Sequence, residues 1–401
     1  MSTAQSPVRR RAASAVRRLS AVRRLTAAAL GALALTVTAA VQAQAATPAR
    51  TPIARAAAGF AAAPQPIPLN TANWTGNAGF GSRAPAWYTD GSGIVHLQGA
   101  ASQTTASGAN PDQIGTLPTA ARPSREVNAI VHTFNGTFAD VTLEPTGEIF
   151  AIQPSFPAIT DFSFVSLEGI SYRPSRAGNP IALNTANWVG NFPCCRRPAW
   201  YTDGSGVVHL QGTAGQTSAS GTGANLIGTL PPAARPAQTV YTIVDTAGDS
   251  YADLAIEPNG TINLIDPRPP AVKNYILVFL ESISYRPAGQ GQAIAVNTAN
   301  WTASAGFGSR PPAWYKDSSG LVHLQGAASQ TSATGTGANV IGTLPSTARP
   351  RQTVYTIVHT FNGTYADLAI EPNGTLALID PRPPMVKDYT FVSLESITYR
   401  R

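Results

Sequence analysis

The chain has 401 residues with 28 Lys and Arg against 21 Asp and Glu, and seven of those arginines, with no acid, stand in its first 24 positions. Setting them aside leaves 21 basic against 21 acidic groups, so the formal charge of +7 belongs to the N-terminus and gives no electrostatic footprint for nucleic acid. Past the N-terminal stretch no apolar run approaches the roughly 20 residues that a membrane-spanning helix needs.

Residues 1–45 read as a signal peptide that is removed. Arg9, Arg10, Arg11, Arg17, Arg18, Arg23 and Arg24 form a positive n-region, and "LTAAALGALALTVTAAV" is an apolar core too short and Ala-rich to span comfortably. "AQA" at Ala43 to Ala45 supplies the small-residue cleavage signal. The paired arginines leave Sec and twin-arginine export both open. Residues 46–65 are rich in Ala and Pro without strand alternation and read as a tether. The C-terminal "SLESITYRR" lacks an apolar sorting tail, so the expected mature protein is secreted and extracellular.

From residue 66 onward one unit occurs three times, as repeat 1 (66–173), repeat 2 (181–286) and repeat 3 (294–401). The copies share "NTANW", "PAWYTDGSGIVHLQG", "PAWYTDGSGVVHLQG" and "PAWYKDSSGLVHLQG", then "IGTLP", then "LEPTGEI", "IEPNGTI" and "IEPNGTL", and a closing strand ending in Tyr-Arg. A period of more than 100 residues far exceeds the ~50 of a solenoid or propeller unit, so each copy is a whole domain able to bury its own core.

Within a copy, "IVHLQG", "TVYTIVHTF", "YADLAIEP", "TLALID" and "YTFVSLESITYR" are short, β-branched or aromatic, and separated by Gly, Asn, Asp and Pro. "EPNGT" is a hairpin turn whose Asn and Gly tolerate positive φ. The expected class is all-β, three tandem β-sandwich, jelly-roll-like domains of roughly eight strands each.

The order Y-x-D-x-x-G-x-V-x-L-x-G, then I-G-T-L-P with R-P close behind, then a hairpin glycine and a closing strand ending in Tyr resembles the C-terminal domains of phage tail-fibre and baseplate receptor-binding proteins. The resemblance covers most of each copy. It implies a β-sandwich that works as a trimer and touches cell-surface saccharide or protein. Three fused copies then admit two arrangements, a single-chain trimer about a pseudo-threefold axis or three beads on a string. The linkers, 174–180 and 287–293, reach at most about 25 Å.

Candidate chemistry centres on the shared hairpin. Trp87 and Tyr88, Trp200 and Tyr201, and Trp314 and Tyr315 are adjacent in a strand, so one of each pair should point away from the core and offer an aromatic plane to a sugar, with Gln98, Gln211 and Gln325 taking hydroxyls. Alternation in "IVHLQG" sends Val95 and Leu97 to the core and His96, with His209 and His323, to the other face, toward solvent or a neighbouring repeat; three histidines could also meet on an axis. Asp90, Asp203 and Asp317 read as residues that bond their own turns.

His132 and His359 match, but repeat 2 holds Asp245 in their place, which argues against a catalytic base there. Glu144, Glu257 and Glu371 precede a turn proline, and Glu168, Glu281 and Glu395 lie in the last strand, without an evident glycosidase pairing. No nucleophile elbow, phosphate loop, cofactor fingerprint or metal-ligand spacing stands out. Cys194 and Cys195, the two cysteines of the chain, replace part of a loop that is "GFGS" in the other copies and are a candidate vicinal disulfide.

The reading is a secreted, non-enzymatic binder of cell-surface or extracellular carbohydrate, without cofactor or nucleic-acid partner. A structural or adhesive protein with a protein partner is the alternative, and an exported hydrolase the third.

Overall fold

The computed structural model describes residues 61–401 apart from 77–78, 108, 135–136, 153–161, 220–221, 248–249, 267–274, 304–305, 362–363 and 381–388. The expected signal peptide and most of the expected tether lie outside the described residues.

Repeat 1 shows the plan. Its strands are β1 (Gln65–Pro66), β2 (Trp74–Thr75), β3 (Ala86–Thr89), β4 (Val95–Gln98), β5 (Ala100–Gln103), β6 (Gln113–Thr116), β7 (Val127–Thr133), β8 (Thr137–Leu143), β9 (Glu148–Ile152), β10 (Val165–Ser166) and β11 (Ser171–Tyr172). A small antiparallel sheet runs β1-β3-β4-β11 and a larger one β2-β5-β10-β7-β8-β9-β6. Repeats 2 and 3 repeat this plan, with eight strands in the larger sheet. Their extra strands, Ala182–Leu183 and Ala295–Val296, pair where repeat 1 makes the isolated bridge Leu69 to Gly115. The all-β class is therefore as expected, with more strands than the pattern reveals, because two-residue strands carry no periodicity.

The first strand of each repeat begins inside what reads as tether or linker: Gln65–Pro66, Asn179–Pro180 and Gln292–Ala293 each pair with the strand bearing the Trp-Tyr pair. Tight turns set the register. At Gly147, φ is 95° and a Cβ would lie 2.6 Å from the Leu117 carbonyl oxygen, so only glycine fits this hairpin.

Each sandwich has its own core. In repeat 1, Val95 and Leu97 from the small sheet meet Val127, Ala129, Val131, Val141 and Ile149 from the large one. Trp74, Trp188 and Trp301 are buried, and their indole N–H groups donate to the carbonyls of Pro111, Ala224 and Ala338 at 2.7, 3.0 and 2.9 Å. The closing tyrosines, Tyr172, Tyr285 and Tyr399, donate to Ala121, Ala234 and Ala348.

The other face of β7 decides how the repeats are arranged. Its inward residues alternate with Asn128, Ile130 and His132, which alternation alone would send to solvent, yet the strand is buried along nearly its whole length. Ile130, Ile243 and Ile357 pack around Phe138, Tyr251 and Tyr365 in one cluster drawn from all three repeats. The three rings meet edge to face at 5.1, 5.5 and 5.0 Å, with interplanar angles of 82°, 84° and 88°. Each such pair contributes about 1 kcal/mol beyond its burial. Equivalent residues meeting mutually require a pseudo-threefold axis, which beads on a string cannot produce.

Candidate functional site at the seams between repeats

The shared hairpin is organised by its aspartate. Asp90 Oδ1 accepts the N–H of Ser92 at 2.8 Å and of Ile94 at 3.0 Å, while Oδ2 lies 3.0 Å from Nε2 of His96. Asp203 with His209 and Asp317 with His323 repeat that pairing at 3.1 and 2.9 Å. Burial alone would raise the carboxyls of Asp90 and Asp203; the histidine hydrogen bond and charge and the two backbone N–H groups outweigh it and hold both below the usual carboxylate range.

The paired strands place each imidazole flat against a tyrosine: Tyr88 on His96, Tyr201 on His209 and Tyr315 on His323, with centroids 5.1, 4.9 and 4.7 Å apart. A guanidinium from the preceding repeat lies over each tyrosine ring, Arg173 on Tyr201 at 3.7 Å, Arg286 on Tyr315 at 4.9 Å and Arg400 on Tyr88 at 5.3 Å. The last contact joins the end of repeat 3 to the start of repeat 1 and closes the ring. Burial pushes all three phenols far above their usual range.

The turns join the repeats too. Gly204 N–H donates to Ser92 Oγ at 3.0 Å, Ser318 N–H to Ser205 Oγ at 3.2 Å and Gly91 N–H to Ser319 Oγ at 3.3 Å, one bond across each seam.

The residues expected to face a sugar are therefore occupied elsewhere. Trp87 and Trp200 pack against the cores of their repeats and Trp314 is a core residue. Tyr88, Tyr201 and Tyr315 lie under arginine. Gln98 and Gln325 are buried and accept from Arg83 and Arg310 at 3.1 and 3.2 Å, and Gln211 is buried as well. The tyrosines are covered by an arginine of the neighbouring repeat, while the tryptophans, Gln98 and Gln325 are engaged within their own repeats. His96, His209 and His323 are buried, each held by the aspartate and stacked on the tyrosine of its own hairpin, and among the described residues no group of three His, Cys, Asp or Glu converges as a metal set.

A second set of contacts was not evident from the sequence. Between repeats 3 and 1, His132 Nδ1 lies 2.9 Å from Asp367 Oδ1 and its ring stacks on Tyr355 at 5.5 Å. Phe134 and Phe164 surround the pair, Phe80 caps Phe134 at 4.0 Å, and the Tyr355 hydroxyl donates to the Phe80 carbonyl at 2.7 Å. Between repeats 2 and 3 the same constellation recurs: His359 with Asp253 at 3.0 Å, Tyr241, Phe361, Phe391 and Phe307.

Between repeats 1 and 2 every one of these positions but the aspartate differs. Asp245 stands for the histidine, Asn128 for the tyrosine, and Ala247, Leu277 and Pro193 for the three phenylalanines, while Asp140 keeps the place of Asp253 and Asp367. A cavity of about 50 Å³ opens there, lined by Asn128, Thr242, Asp245, Phe279, Glu281 and Ser282 among others. The concerted exchange at matched positions was the signal in the sequence; the Asp245 replacement shows it first.

No protein-family model, curated protein or solved structure matches this chain. The site must be read from its own geometry.

Cys194 and Cys195 are joined in a vicinal disulfide on the rim of the divergent seam. The Cys194 carbonyl accepts the N–H of Glu126 from repeat 1 at 3.2 Å. In the other seams the same bond is made at 3.0 Å by Gly81 to Thr353 and by Gly308 to Thr239, through left-handed glycines with φ of 77° and 73°. Repeat 2 keeps the bond with a disulfide ring in place of the glycine.

Exposure concentrates on the caps of the two aromatic seams. Phe80 and Phe307 are 62% and 60% exposed and adopt φ of 59° and 51°. A non-glycine residue in that region costs about 1 kcal/mol.

Proposed function

We propose that this chain is an extracellular, non-enzymatic protein that binds carbohydrate at cell surfaces through Phe80 and Phe307 on a rigid single-chain trimer. The observation that carries the reading is the pair of exposed phenylalanines, each in a left-handed conformation and backed by a second ring at 4.0 or 4.1 Å. Strain of that kind clusters at ligand clamps. An exposed aromatic face supported by a second ring suits the C–H face of a sugar ring. Two such faces on one stiff body add avidity on a polymeric surface, where single weak contacts would not hold. The export leader supports an extracellular setting.

The test is retention of the mature chain on a glycan array and on insoluble polysaccharides, beside the Phe80→Ala/Phe307→Ala double variant. Wild-type retention falling about tenfold or more in the double variant, with an unchanged near-UV spectrum, is expected. Absence of retention on every saccharide, or retention indifferent to the substitution, removes the reading; binding to protein-coated surfaces alone points to an adhesive role.

A further inference from the structure

Each repeat joins a buried glutamate, in the turn before its last strand, to the end of the strand that carries the hairpin histidine. Glu168, Glu281 and Glu395 accept the N–H groups of Gly99, Gly212 and Gly326 at 2.9, 2.8 and 2.8 Å. The residue before each glycine is a buried glutamine, Gln98, Gln211 or Gln325, so the same two acceptors stand together three times.

In repeats 1 and 3 one guanidinium serves both. Arg83 and Arg310 hold Nε 3.2 Å from the glutamate and donate from Nη1 to the glutamine Oε1 at 3.1 and 3.2 Å. Their Nη2 groups reach the preceding repeat, at the carbonyls of Arg400 and Arg286, 3.2 and 3.3 Å away. Repeat 2 keeps the acceptors and moves the donor. Arg196, directly after the Cys194–Cys195 pair, reaches one residue further: its Nη2 donates to the carbonyl of Pro174 at 2.7 Å and to Ser124 Oγ at 3.1 Å. Glu281 Oε2 and Gln211 Oε1 are left buried without a hydrogen-bond partner among the described residues. Thr213 Oγ1, where the other repeats have Ala100 and Ala327, is a third buried oxygen in that state. Glu281 lines the cavity of about 50 Å³ between repeats 1 and 2.

A buried acceptor with no donor carries its full desolvation cost, so the stranded pair favours whatever supplies N–H groups to it. The carboxylate selects a cation among such donors. The sister repeats identify the cation that the pair fits, because in both of them the same two side chains hold a guanidinium. We propose that Glu281 and Gln211, in the seam between repeats 1 and 2, form a binding site for a small guanidinium-type cation, which takes the place that an arginine side chain fills in the other two repeats.

Three equivalent amides report the three pairs separately: Gly99, Gly212 and Gly326, each donating to its glutamate. Burial raises Glu281 to about 7, against the pull of the Gly212 N–H and Arg196, so the measurement is made at about pH 8, where its carboxylate is ionised. Amide spectra of the mature chain are recorded while guanidinium chloride replaces sodium chloride at constant ionic strength. The expected result is a Gly212 shift that saturates, half-complete at about 1–10 mM, with Gly99 and Gly326 still. Glu281→Gln, which keeps an acceptor for the Gly212 amide and removes the charge, should weaken the response about tenfold or more. Arg83→Ala, which strands the repeat 1 pair in the same way, should make Gly99 respond. Ethylguanidinium separates two sources of the group: an equal response assigns the site to the end of a partner's arginine, and a lost response assigns it to the free ion. Equal shifts at all three amides, a Gly212 amide that ignores guanidinium or answers sodium as well, or a response that survives Glu281→Gln overturns the proposal.

Discussion

The seams that join repeat 3 to repeat 1 and repeat 2 to repeat 3 are near copies of one another, and the seam between repeats 1 and 2 is not. The first two bury a histidine-aspartate pair under four aromatic rings. The third keeps the backbone contacts, including the amide bond to Cys194 and the turn bond to Ser92, but exchanges the rings for small and acidic side chains around a cavity. A homotrimer could not do this, because each change would appear at all three interfaces at once. Fusion of the copies frees one seam to vary while two hold the body together.

The comparison predicts unequal costs for equivalent substitutions. Removing Asp367 or Asp253 by alanine leaves a buried histidine without its partner and should cost about 3 kcal/mol or more in denaturant melts. At the matched place Asp140 has Asp245 and not an imidazole across the seam, so its removal strands no histidine and should cost less. Equal losses at the three positions would show that the seams are energetically alike despite their composition.

The glutamates expected in the last strand lie instead in the turn that precedes it, and they sharpen the contrast. Glu281 has its folded value raised from the ordinary 4.5 to about 7, so the native state holds a proton that the unfolded chain has released between those limits. Stability from this group is therefore full below about pH 4.5 and declines as pH rises through about 7, by up to about 3 kcal/mol. Glu281→Gln should abolish that decline and melt higher than wild type at about pH 8. Burial raises Glu168 too, against the pull of Arg83, so Glu168→Gln trims the same decline but leaves Arg83 without its counter-charge and should melt lower than wild type. In acid the order changes: Asp90 and Asp203, held below the usual range, lose their contribution as pH falls through their folded values.

The difference between the seams also marks where sequence reasoning ended. Triplication, the all-β class, the turn role of Asp90 and the inward faces of Val95 and Leu97 follow from spacing and alternation, which are local properties. The outward face of Val127–Thr133 does not. Period two says only that Asn128, Ile130 and His132 leave the core, and for a lone domain that means water; here it means the next repeat. Two outward clues were present, the isoleucine kept in all three copies and the joint replacement of tyrosine, histidine and phenylalanine in one seam. The aromatic pair in the hairpin misled for the same reason. Tyr88 does point away from its own core, into an arginine 312 residues along the chain at Arg400.

A smaller difference separates the two aromatic seams themselves. At the crossing near the last strands, Ser282 Oγ accepts the N–H of Ser171 at 3.2 Å and Ser396 Oγ accepts that of Ser284 at 3.4 Å. The third equivalent position is Gly169, which has no hydroxyl to offer Thr398. Its φ of 84° is close to the 66° and 65° that Ser282 and Ser396 adopt, and a Cβ there would meet nothing within 4 Å. Gly169→Ser should therefore supply the missing bond between repeats 3 and 1. The hydrogen bond is worth about 1 kcal/mol and the left-handed backbone costs a comparable amount, so the gain is held to a few tenths of a kcal/mol. Paired melts at one pH measure it, and a loss above about 1 kcal/mol would mean that the glycine serves a closer approach than the three crossings indicate.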